Sequence, residues 1–170
     1  GESRMLKREE LSDEQWRSVR DAAHYVILAV SSAGGSAWDD MLERAAGLEG
    51  IVDGLGSAHP LLQDLAASDQ IMKAQDETRN WIRTLSQEHR NVTSLQAKAL
   101  SSLQDAMSAL REKGGAEDVA RYGEFVRGLA LRVARSAKEG DVMGLGGELV
   151  SGPEREFIGK LEDVVGIKSS

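Results

Sequence analysis

From Ile71 to Leu110 apolar residues return every third or fourth position for almost forty residues, with no glycine or proline to interrupt them. Ile71, Ala74, Trp81, Ile82, Leu85, Val92, Leu95, Ala99, Leu103, Met107 and Leu110 keep the rhythm. An α-helix turns once every 3.6 residues, so this spacing gathers a single apolar stripe that other helices of the chain, or a second subunit, must cover. A strand, whose side chains alternate, has no use for it. The polar stretch EHRNVTS, 88–94, is the natural place for a break, with Asn91 or Thr93 as a cap, so two helices are expected here rather than one. Packing within the chain ranks ahead of self-association through the stripe, because 170 residues supply enough other helix to cover it.

The rest of the chain reads the same way. It has only two prolines, few aromatics and no run of alternating β-branched residues, so the fold class expected is all-α: a compact helical bundle of five to seven helices. Residues 1–11 read as a flexible or adventitious lead and 12–167 as one domain. Ser12 with Gln15 forms a capping box, Leu11 is placed to staple onto Trp16, and the first helix runs to about Ala33. Its stripe is Trp16, Val19, Ala23, Val26, Ile27 and Val30. Ser36 caps a second helix that continues to about Val52, and DGLGSAHP, 53–60, is a linker before a short helix. After the break at 113–115 a helix from Ala116 to Lys138 buries Val119, Tyr122, Val126, Leu129 and Val133, and a last helix turns Phe157, Leu161 and Val164 inward.

Four glycines crowd into the eight positions 140–147 of KEGDVMGLGGELVSGPERE, 138–156, which raises the question of a phosphate cradle. Such a loop needs a strand before it and, in the Walker form, Gly-Lys followed by Ser or Thr. Here a helix precedes it and Glu148 follows Gly146 and Gly147, so a helix-to-helix corner is expected and no nucleotide or other small-molecule ligand is identified. The order buried helix, small residues, glycine break, serine cap and acidic first turn also occurs near Ala29 to Leu42, which suggests a pseudo-repeat of helix-corner-helix units with Ser36 corresponding to Ser151.

The run VARSAKEG followed by LVSGPEREFIGKLEDVVGI resembles the TerB-like (tellurite-resistance-type) bacterial helical proteins, in which a helix ending in A-x-A-D-G meets a following S-x-x-E helix. The family's Asp-Gly pair is replaced by Lys138, Glu139 and Gly140 and is missing at Ala33 to Gly35. The resemblance implies an α-helical bacterial protein of a stress-linked or uncharacterised group, not an enzyme. It also supplies an alternative function, a divalent-cation-binding stress-response module.

For such a cation the oxygen donors are Asp39, Asp40, Glu43, Glu154 and Glu156, if the two corners meet. The simpler reading, first-turn carboxylates complementing the helix dipoles, is preferred. No Glu-x-x-His pair is present; His24, beside the apolar face of the first helix, reads as a hydrogen-bonded core or boundary histidine rather than a ligand, and His59 and His89 have no ligand at helical spacing. Cysteine is absent, which removes thiol nucleophiles and thiolate metal sites and fits a cytoplasmic setting. No catalytic residue or resident cofactor is identified. A net charge of -7 argues against nucleic acid, and the longest apolar run, 22–30, is too short to span a membrane. A basic arc of Arg121, Arg127, Arg132, Arg135 and Lys138 lies opposite the apolar stripe of its helix, as a surface for an anionic partner or as a solvated face. The function expected is that of a non-catalytic protein acting through protein-protein interaction, self-association or a structural role.

Overall fold

Ser12 and Gln15 start the helix that organises the molecule. The Gln15 amide donates to Ser12 Oγ at 3.0 Å and the Ser12 amide donates to Gln15 Oε1 at 3.0 Å, while Leu11 and Trp16 are both buried beside them. The computed structural model describes residues 4–33, 45–139 and 152–167. Among these residues are seven α-helices and no strand: α1 (Asp13–Ala33), α2 (Ala45–Val52), α3 (Pro60–Leu65), α4 (Ser68–Thr84), α5 (Val92–Lys113), α6 (Ala116–Glu139) and α7 (Gly152–Val165).

The expected stripe on α1 understates its burial. Every residue from Ala22 to Ser32 is buried, including His24, Ser31 and Ser32, because α4, α5, α6 and α7 all pack against this one helix. A helix enclosed on every side has no solvent face to reserve for polar residues, so the many small side chains of AAHYVILAVSSA suit it.

Side-chain contacts fix the directions. Gln15 meets Glu112 and Lys98 lies over the Tyr25 ring, so α5 runs antiparallel to α1. Trp16 donates to Gln70 and Tyr25 stacks edge-on with Trp81, so α4 runs parallel to it. Arg127 pairs with Glu162 while Gly123 lies against Val165, making α6 and α7 antiparallel. Arg111 reaches the Val164 carbonyl, which sets α7 parallel to α5 and α6 parallel to α1. The ends of α1 and α6 and the start of α7 therefore lie at one end of the bundle, while the corners of the expected pseudo-repeat fall outside the described residues.

The break in the long stripe falls where the polar stretch placed it. Asn91 caps α5, its Oδ1 accepting from the Ser94 amide at 2.8 Å. On α5 the stripe of Leu95, Ala99, Leu103, Met107 and Leu110 is fully buried, largely by α1, so it is covered within the chain. On α4 the expected stripe is buried less deeply: Ala74 is buried and Ile71, Trp81 and Ile82 pack half-buried against the core, while the polar Gln70 and Thr78 are buried beside Ala74. The reason is position, since α4 lies at the outside with α1 and α3 as its main neighbours.

Part of the lead packs on the bundle. Leu6 and Leu11 belong to the hydrophobic core, and the Leu6 amide donates to Asp118 Oδ1 at 2.9 Å. No helix among the described residues is long and apolar enough to cross a membrane.

Candidate functional site

The sequence of α6 distributes its residues among three surroundings. Tyr122, Val126, Leu129 and Val133 are buried, with the Tyr122 hydroxyl donating to the Val19 carbonyl of α1 at 2.7 Å. Burial, followed by the charge of Asp21, pushes the pKa of that phenol up. Gly123 and Arg127 face α7. The remaining side, with Arg121, Glu124, Gly128 and Arg135, is exposed.

The basic arc is therefore divided. Arg127 turns away from it and pairs with Glu162 of α7 at 2.7 Å. Arg132 crosses to the opposite wall and is held by Asp53 and by Glu49, the latter at 3.3 Å. Arg121 makes only an exposed 3.4 Å pair with Glu117, one turn back on its own helix, and Arg135 has no ion pair among the described residues. The Lys138 side chain lies outside the described residues.

Between α6 and the α2 wall runs an open groove of about 390 Å³, lined by Arg121, Phe125, Gly128, Leu62, Asp53 and Gly54 among others. Two glycines build it in opposite ways. A Cβ on Gly50 would come within 2.6 Å of Leu129 Cδ1, so the missing side chain lets α2 approach α6 closely. A Cβ on Gly128 would meet nothing within 4 Å, so there the missing side chain leaves the groove unfilled.

Of the expected cation donors, Asp39, Asp40 and Glu43 lie outside the described residues. The other two do not share a surface. Glu154 is 1% exposed, whereas Glu156 projects outward near Lys160 at 3.9 Å. Among the described residues no group of three or more His, Asp or Glu is placed to hold a metal ion. The glycine-rich corner, 140–151, and Ser36 also fall outside the described residues.

One pairing was not anticipated. His59, read only as a linker residue, is buried with Asp118, and its Nε2 stands 2.7 Å from Asp118 Oδ1. The Leu61 amide donates to His59 Nδ1 at 3.2 Å, which places the ring hydrogen on Nε2, donating to the carboxylate. Asp118 also accepts from the amides of Leu6 and Gly115. Burial raises its pKa, but these amide hydrogen bonds together with His59 outweigh it and hold the carboxyl below its ordinary range. Both ring nitrogens and both carboxylate oxygens are thus engaged in tying the lead, the start of α3 and the start of α6 together. The signals were present: His59 precedes Pro60, which places it at an N-cap, and Asp118 stands at the third position of α6, where a carboxylate reaches back to the cap amide.

In comparisons with known proteins the chain matches no family model, and no curated protein and no solved structure matches it.

Proposed function

We propose that this protein acts without catalysis, as an interaction protein whose working surface is the outer face of α6 and the groove beside it. The observation that carries the reading is Gly128. A glycine inside a helix costs about 0.5–1 kcal/mol relative to alanine, and at this position no contact among the described residues demands it. Close approach of another molecule is a physical reason for leaving that space open. The imidazole–carboxylate pair most suggestive of acid–base chemistry supports the same reading, because His59 and Asp118 are buried and their polar atoms are engaged with the backbone and each other. The resemblance to TerB-like bacterial proteins points to a non-enzymatic role as well.

The test is site-specific photocrosslinking in the cells that make the protein. A photoreactive side chain replaces Arg121 at the groove rim, and a control replaces the exposed Gln104 on α5. A discrete protein adduct from position 121 and none from 104 is expected. No adduct at 121, or the same adducts from both positions, overturns the proposal.

A further inference from the structure

The outer face of α6 carries Glu124, Gly128, Leu131 and Arg135 at positions i, i+4, i+7 and i+11, the spacing of one side of a helix. Leu131 is half-buried and the other three are exposed. Glu124 and Arg135 have no ion pair among the described residues, while the neighbouring Arg121 and Arg132 are engaged with Glu117 and with Asp53 and Glu49.

These four positions are symmetric about the point midway between Leu129 and Ala130. When a second α6 is laid antiparallel on the first across a two-fold axis at that point, Glu124 of each copy stands opposite Arg135 of the other. Leu131 of each copy stands opposite Gly128. The two charged positions are about 16 Å apart along the helix, so an ion pair closes each end of the contact. Between them, the exposed part of each leucine, whose other side packs on its own core, faces the space where Gly128 has no Cβ and nothing among the described residues lies within 4 Å of the place one would occupy. The surface therefore matches itself in both charge and shape, as an isologous dimer interface requires.

Resting on the interaction reading above, we infer that the occupant of this face is a second copy of the same chain, joined through antiparallel α6 helices. A heterologous partner would have no reason to find a donor and an acceptor placed symmetrically about a glycine–leucine pair. The stripe on α5 is not the route of association, since α1 already covers it.

The experiment is sedimentation equilibrium of the purified chain over a concentration series, with E124R, R135E and the double variant E124R/R135E. Both positions are exposed, so the variants should fold, and circular dichroism checks it. A concentration-dependent dimer is expected. Each single substitution places two like-charged pairs in the interface and should raise the dissociation constant by about tenfold or more. The double variant restores opposite charges and should recover the dimer. A monomer throughout, a dimer indifferent to the single variants, or a double variant as weak as either single one overturns the inference. A monomer that still gives an adduct to a different protein from position 121 removes the second copy but keeps the interaction reading. Loss of every adduct removes both.

Discussion

His24 sits inside α1 at 5% exposure, and its Nε2 has no hydrogen-bond partner among the described residues. Burial, and then the charge of Arg20, pushes its pKa from 6.5 down to about 4. The unfolded chain thus binds a proton near pH 6.5 that the folded chain refuses until about pH 4. Stability from this group is complete above pH 6.5 and falls as pH drops toward 4, by on the order of 3 kcal/mol. Asp118, with a lowered pKa, loses its contribution only in more acidic solution, while burial raises Asp21, whose effect near pH 4 has the opposite sign. The His24→Leu variant isolates the histidine: urea denaturation at pH 7 and about pH 4.5 should show wild type losing roughly 2–3 kcal/mol more than the variant. Parallel pH dependences would refute the burial-driven shift. A histidine beside an apolar helix face was legible in the sequence, but its lack of a partner was not, because that depends on what the other helices bring against it.

At the level of elements, α2 and α6 make a prediction through their glycines. Gly128→Ala adds helix propensity and meets open space, so the isolated subunit should gain about 0.5–1 kcal/mol. Gly50→Ala drives a Cβ to 2.6 Å from Leu129 Cδ1 and should destabilise by about 1–3 kcal/mol despite the same propensity gain. Thermal unfolding at concentrations low enough to populate the monomer checks both, and equal shifts in one direction would refute the packing argument. Sequence told more about elements than about residues. The capping box at Ser12, the Asn91 cap and the limits of α6 follow from local hydrogen bonding, which neighbouring residues determine. On α4 the burial of Gln70 and Thr78 was not legible because both are polar; Gln70 is buried by accepting from Trp16 on another helix, and Thr78 bonds its own helix at the Gln75 carbonyl. The groove was not legible either: the arginines of the arc are on one helix, and their division between Glu162, Asp53 and open solvent depends on which helices flank it.

Across the whole molecule, burial is uneven in a way that sets the order of opening. α1 is enclosed by four helices, and α5 presents Leu95, Leu103, Met107 and Leu110, none of them exposed, to the core. α4 instead contributes Gln70, Ala74 and Thr78 as its buried positions and rests mainly on α1. Beyond these, Ile71 and Ile82 pack half-buried against the core, and at the edge the Tyr25–Trp81 pair has ring centroids 5.6 Å apart with the Lys98 ammonium over both rings. Each fully buried large aliphatic side chain stabilises by about 1.5–3 kcal/mol, so α4 lacks several such contributions that α5 has. It can therefore detach without exposing the central apolar contacts of the bundle. Native-state hydrogen exchange in increasing denaturant should show α4 amides opening at least about 2 kcal/mol below the global unfolding free energy, while α1 and α5 amides exchange only through global unfolding. If α4 exchanges with the same free energy as α1 and α5, its outer position carries no separate mode of opening, and the edge contacts around Trp81 hold it as firmly as the core.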